Sequence, residues 1–196
     1  MSEPTHITLL QRVRNQQDEK SWQEFTTFYR GYIYAVLHRL GMNHHDAEDL
    51  SQEVLLKAWK ALPEYECRQV QGQFRNWLSH VCLNTLRSSH RRMNTQGRKQ
   101  PEFLDLEQSS EPEIEALAEK EWRIYISDLA WNQIKERFSA SVQQSFLLSA
   151  EGLNSTEVAR RLGLAESSVR VNKQRVTAAL CKEIVRLDIE LNGEPS

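Results

Sequence analysis

The sequence predicts an all-α fold of two small helical domains joined by a flexible linker. Glycine and proline are scarce, seven and five in 196 residues, so long stretches run without a breaker. Apolar residues recur at spacings of three and four with no sustained alternation, which favours helices and leaves no strand pattern. At 39% hydrophobic and 27% charged, the chain carries enough apolar material for real cores and does not have the composition of a disordered chain.

The elements follow in chain order. Trp22, Phe25, Phe28, Tyr32, Val36 and Leu40 keep helical spacing, and Gly41 offers a stop. A second helix starts at Asn43, a natural N-cap, with Asp46, Glu48 and Asp49 in the first turns where the helix dipole favours negative charge; it ends before Pro63. Residues 63–73 read as a polar loop, and Phe74 to Arg92 as a third helix. Residues 93–112 lack helical periodicity and contain Gly97 and Pro101, the pattern of a linker. Beyond it Ile114 to Arg137, Val142 to Ala150, Ser155 to Leu162 and Glu166 to Leu187 read as four more helices. The expected domains are therefore 1–92 and 113–196, with 93–112 between them.

Several function classes are disfavoured. The longest purely apolar run, Tyr32 to Leu37, is far short of the roughly 20 residues a membrane helix needs, and the polar start lacks a signal peptide's apolar block, so a cytoplasmic chain without a membrane span is expected. Cys67, Cys82 and Cys181 are odd in number and widely spaced, which suggests neither disulfides nor a cysteine zinc site. His44 and His45 precede three acids, but adjacent histidines at a helix start do not converge on one ion, and no HExxH spacing exists. With no Gly-rich phosphate loop and no GxSxG turn either, we expect no metal, no cofactor and no catalytic residues.

Net charge is -2, which alone argues against a nucleic-acid binder. Its distribution reverses that inference. Residues 1–92 hold twelve basic against ten acidic groups, residues 93–128 four against nine, and residues 129–196 nine against eight. Two blocks are strongly basic: Arg87 to Lys99 has five basic residues and no acid, and Arg160 to Arg175 has five basic residues and one acid.

The second block lies in NSTEVARRLGLAESSVRVNKQRV, which has the form of a helix-turn-helix. Asn154 can cap a helix with Glu157 closing the box; Ala159 permits close helix contact, Gly163 suits a tight turn, and Leu164, Val169 and Val176 fill the space between helices. Ser167, Arg170, Val171 and Gln174 share the face opposite Val169, Val176 and Leu180. Arg170 suits guanine, Gln174 adenine or a phosphate, and Val171 a thymine methyl, whereas Arg175 at the flank suits phosphate. Lys173 borders the buried face. Ala165 at the expected N-cap of this helix is a poor capping residue.

The N-terminal half carries two more surfaces. On the Asn43 to Leu62 helix, Ala47, Leu50, Val54, Ala58 and Ala61 form an apolar stripe, while Asp46, Asp49, Glu53, Lys57 and Lys60 repeat that spacing one residue earlier, with Gln52 and Leu56 beside them. On the Phe74 to Arg92 helix, Phe74, Leu78, Val81 and Thr85 make a buried side. Asn76, His80, Asn84, Arg87 and Arg91 fall in one polar stripe, and Trp77 sits at its edge, where core packing is favoured over stacking on a base.

The runs DAEDLSQEVLLKAW (46–59) and FRNWLSHVCLNTL (74–86), followed by the helix-turn-helix, resemble bacterial RNA polymerase sigma factors of the sigma-70 family, and the layout resembles the extracytoplasmic-function (ECF) group. The resemblance implies two domains, called sigma regions 2 and 4. It implies that Asp46, Asp49, Gln52, Glu53 and Leu56 dock on the clamp helices of the largest catalytic subunit of core RNA polymerase, and that the flap of the second large subunit is a further contact. Loop 63–73 with Asn76, Trp77, His80, Asn84, Arg87 and Arg91 would meet the minus-ten promoter DNA. Ser167, Ser168, Arg170, Val171, Gln174 and Arg175 would meet the minus-thirty-five element. An anti-sigma factor is a further implied partner. The chain departs from common family patterns at Ser88, Ser89 and His90 and at Asn172 and Lys173. The rival readings are a helix-turn-helix regulator that binds an operator without joining polymerase, and a metal-dependent hydrolase built on His44 and His45.

Overall fold

The computed structural model describes residues 8–65, 73–95 and 111–192. Among them lie eight α-helices, two short 3-10 turns and no strand. No described helix is long and apolar enough to cross a membrane. Contacts divide the chain into two compact units, Met1–Tyr125 with Asp188–Ser196, and Ile126–Leu187.

In the N-terminal unit, α1 (Leu9–Val13) starts with a reciprocal cap: Gln11 N–H donates to Thr8 Oγ1, and Thr8 N–H donates to Gln11 Oε1. Leu9, Leu10 and Val13 are buried, and just past the helix Gln16 donates to the Trp59 carbonyl at the end of α3. The sequence reading omitted this helix, although Thr8 and Gln11 are a capping-box signature. Helix α2 (Glu19–Arg39) is capped by Asp18, whose carboxylate accepts from the Ser21 hydroxyl and N–H; those two bonds hold it below the usual carboxylate pKa. Its buried face is aromatic, with Phe25 and Tyr29 rings 4.6 Å apart and Tyr32 and Ile33 fully enclosed.

Helix α3 (His44–Ala61) begins as expected: Asn43 Oδ1 accepts from Asp46 N–H at 3.0 Å. It buries Ala47, Leu50, Val54 and Ala58, together with Ser51 and Leu55. Ala61 is exposed, against expectation, because the helix ends there and Leu62, in the 3-10 turn Leu62–Glu64, takes the buried place. The helix α4 (Gln73–Thr95) buries a wider arc than the sequence suggested, adding Arg75, Ser79, Cys82, Leu83 and Leu86 to Phe74, Leu78 and Thr85, while Val81, expected on that side, is only half-buried. Burial pushes the Cys82 thiol up to about 12, which makes it inert at neutral pH.

Helix α5 (Glu111–Ile134) buries Ile114, Ala118, Trp122, Ile126, Ala130 and Ile134, one unbroken stripe at a spacing of four. Its first half belongs to the N-terminal unit, where Trp122 packs 5.2 Å from Tyr32 and 6.0 Å from Tyr29. Tyr125 donates to the Phe28 carbonyl, and its ring lies so close to Gly31 that a Cβ there would sit 2.8 Å from it. The contact boundary at Tyr125 thus lies inside the segment that the sequence assigned wholly to the second domain. Of the expected linker, 96–110 lies outside the described residues. The flanking helices reach into it because no Gly or Pro interrupts 74–95, and because Pro112 is tolerated in a helix's first turn.

In the second unit a 3-10 turn, Lys135–Arg137, leads to α6 (Ala140–Ala150), with Gln143 donating to the Lys135 and Phe138 carbonyls at 2.9 Å each. Helix α7 (Ser155–Leu162) and helix α8 (Glu166–Asn192) follow. Their small core is Val158, Ala159 and Val169, surrounded by Leu148, Leu153, Leu162 and Leu164.

Candidate nucleic-acid interface

The helix-turn-helix is built as its sequence dictates. Asn154 Oδ1 accepts from Glu157 N–H at 2.9 Å, and among the described residues only this forward half of the box forms. Gly163 takes φ 65 and ψ 31, the left-handed conformation that lets α7 stop, and the Gly163 and Leu164 N–H groups both donate to the Ala159 carbonyl. Val169 and Val176 are fully buried, which turns the other side of α8 outward. Ser167, Ser168, Arg170, Val171, Gln174 and Arg175 are all exposed, as is Lys173. Val171 keeps 50% of its surface accessible, an apolar group turned to solvent. Arg170 pairs with Glu166 at 3.1 Å, one turn earlier, in an exposed bridge that is cheap to exchange.

The α4 stripe is brought together but is less free. Asn84 and Arg91 are exposed; Asn76, Trp77, His80 and Arg87 are half-buried. Trp77 packs against Tyr65 (5.0 Å) and Phe74 (5.3 Å), the favoured core reading, yet it stays partly open at the rim. His80 Nε2 lies 3.4 Å from Glu115 Oε1 of α5. Of loop 63–73, residues 66–72 lie outside the described residues.

Sequence reasoning missed Arg75. Its side chain is 6% exposed, with Nη1 3.2 Å from Asp188 Oδ1, Nη2 3.4 Å from Glu119 Oε2, and Cζ 4.9 Å from the centre of the Trp122 ring. The signal was present, since Arg75 falls in helical register with Ser79, Cys82 and Leu86 on the buried arc.

On α3, Asp49, Gln52 and Leu56 are exposed and share a face; Leu56 is 50% open. Asp46 is half-buried and joined to the N-cap, taking a 2.7 Å bond from the Asn43 amide. Glu53 is engaged within the unit by Lys57 at 3.0 Å and Arg92 at 2.8 Å. Its partial burial works to raise the carboxyl, but these hydrogen bonds outweigh burial and leave the pKa below the usual carboxylate value. His44 Nδ1 lies 2.9 Å from the Tyr34 hydroxyl, which ties α3 to α2.

These features define a class: a two-unit helical protein with a polar-faced N-terminal bundle and a helix-turn-helix in the second unit. Residues 27–95 match the Sigma-70 region 2 family. Over 169 residues the chain is 27% identical to the ECF RNA polymerase sigma factor SigE of Mycolicibacterium smegmatis, an alignment covering 86% of this chain and 63% of that protein. Over 74 residues it is 39% identical to the ECF RNA polymerase sigma factor SigG of Mycobacterium tuberculosis, covering 37% of this chain and 19% of that one. The chain thus spans less than two thirds of the length of these relatives. It is similar to the sigma-70 family over residues 27–95 and to ECF sigma factors over the aligned parts.

Proposed function

We propose that the chain is an alternative sigma factor, which binds core RNA polymerase in the cytoplasm and directs initiation at promoters with defined minus-ten and minus-thirty-five elements. The observation that carries this reading is the presence, in one chain, of a region 2 match and a helix-turn-helix whose reading face is fully exposed. In this reading residues 1–92 form the polymerase-docking and minus-ten domain, 93–112 the linker and 113–196 the minus-thirty-five domain. Asp49, Gln52 and Leu56 offer the clamp helices an acidic and amide surface around one apolar knob, with Asp46 and Glu53 at its edges.

The chain itself performs no bond chemistry in this account. Asn76, His80 and Asn84 contact the displaced strand, Trp77 lies at the rim where a base can stack, and Arg87 and Arg91 hold phosphates. Binding energy from these contacts offsets the few kcal/mol needed to unstack a base. On α8, Arg170, Gln174 and Val171 read base edges, while Ser167, Ser168 and Arg175 position the helix on the backbone. Contact with the flap of the second large subunit and control by an anti-sigma factor belong to the same proposal.

Reconstituted transcription tests it. Core polymerase with this chain should start transcripts at a defined set of genomic sites, and Asp49→Lys should weaken core binding. Failure to bind core, with tight duplex binding by the chain alone, would establish the operator-binding regulator instead.

A further inference from the structure

Two acidic groups of α5, Glu115 and Glu119, stand beside the polar stripe of α4. Ile114, Ala118 and Trp122 are at most 3% exposed, and the Tyr32 hydroxyl donates to the Ala118 carbonyl, so this half of the helix is anchored within the N-terminal unit. The same turns present Glu115 to His80 at 3.4 Å, and Glu119 to Arg75 at 3.4 Å and Arg123 at 3.1 Å. Arg75, Asn76, Glu115, Glu119 and Arg123 line an open cleft of about 570 Å³. Inside it the buried Arg75 guanidinium has its two terminal nitrogens engaged by Glu119 and Asp188, while its Nε has no acceptor among the described residues. Two acids and two cations, the buried and partly unsatisfied Arg75 and the exposed Arg123, thus border Asn76 and His80.

We propose that Glu115 and Glu119 are specificity-determining residues: fixed negative charges beside the α4 stripe that penalise phosphate contact, so that a strand lodges there only when base contacts offset the repulsion. The proposal rests on the reading of α4 as the strand-contacting helix. Attraction to phosphates is blind to sequence, whereas discrimination is a difference between affinities. A repulsive charge at the backbone track therefore lowers binding to all strands and leaves base readout to choose among them. Anchoring matters, because an acid on a loose segment would swing aside at little cost.

The test uses the full chain, as wild type, E115Q, E115Q/E119Q and, as a remote control, E136Q, with a fluorescein-labelled dT 20-mer. Removing the two charges should tighten dT binding roughly three- to tenfold at low salt, with the gap closing as salt rises. E115Q should give a smaller gain and E136Q none. With core polymerase on genomic DNA, E115Q/E119Q should start a larger share of transcripts away from the wild-type sites. Unchanged dT affinity in both Glu115 variants overturns the proposal, as does a gain matched by E136Q. E115Q removes a half-exposed carboxylate that Arg75 does not use, so it decides the matter if the double variant fails to fold. A wild-type chain that starts no specific transcripts overturns the sigma-factor reading itself; one that does, with unchanged dT binding in the variants, overturns only the role of these acids.

Discussion

The two units solve the same problem of displaying polar groups in opposite ways. The N-terminal unit has an extensive aromatic core, and its candidate contact residues are partly drawn into ion pairs: His80 with Glu115, Glu53 with Lys57 and Arg92. In the helix-turn-helix a small core around Val158, Ala159 and Val169 suffices, and the reading face is fully open. A rigid helix that reads base edges in a groove needs only a fixed angle of presentation, which one tight turn supplies. On the proposed function, the N-terminal surface that captures a melted strand must hold groups from several helices in register, which calls for a larger core and leaves each group more encumbered.

The largest expected effect tests the first half of this contrast. Trp122→Ala removes a side chain that is 3% exposed and packs on both Tyr29 and Tyr32, so it should cost about 3 to 5 kcal/mol in urea unfolding. A loss below about 1 kcal/mol would show that α5 is a loose attachment, not part of the core. Arg170→Ala tests the second half. Its partner among the described residues is Glu166 in an exposed bridge, so stability should stay within about 0.5 kcal/mol; on the proposed function, discrimination at one minus-thirty-five position should fall by about 1 to 3 kcal/mol, read from binding to a panel of substituted sites. Equal weakening on every site would make Arg170 a phosphate contact.

Gly163→Ala should destabilise the second unit by about 1 kcal/mol, since φ 65 is disfavoured for a residue with a Cβ although nothing lies within 4 Å to clash with it. Denaturation followed in that unit checks it, and a neutral result would mean that the turn tolerates another backbone path.

What could be read from the sequence divides along the line between local and non-local causes. The caps at Asn43 and Asn154, the turn at Gly163 and the outward set Ser167, Arg170, Val171 and Gln174 depend on residues within a turn or two, and each stands as expected apart from the return half of the Asn154 box. The stripe of α5 was equally visible, but periodicity shows that a face is buried and never against what. Nothing local says that Ile114 to Trp122 belongs with the N-terminal unit while Ile126 to Ile134 belongs with the second. Arg75 makes the point most sharply: its register marks it as buried, yet its partners stand 44 and 113 positions away.

The smallest effect concerns Glu53, whose carboxylate is engaged within the N-terminal unit. The bonds from Arg92 and Lys57 lower the Glu53 pKa below its ordinary 4.5 in the folded chain. A depressed folded-state pKa adds stability above the unfolded value, and that stability fades as pH falls through the folded value. Wild type should therefore exceed Glu53→Gln at neutral pH by less than about 1 kcal/mol, because the pair is partly solvated and the side chain 30% exposed. The difference should fade as pH falls through the folded value and vanish below it. A gap that persists in strong acid would mean that Glu53 acts through packing and not through its charge.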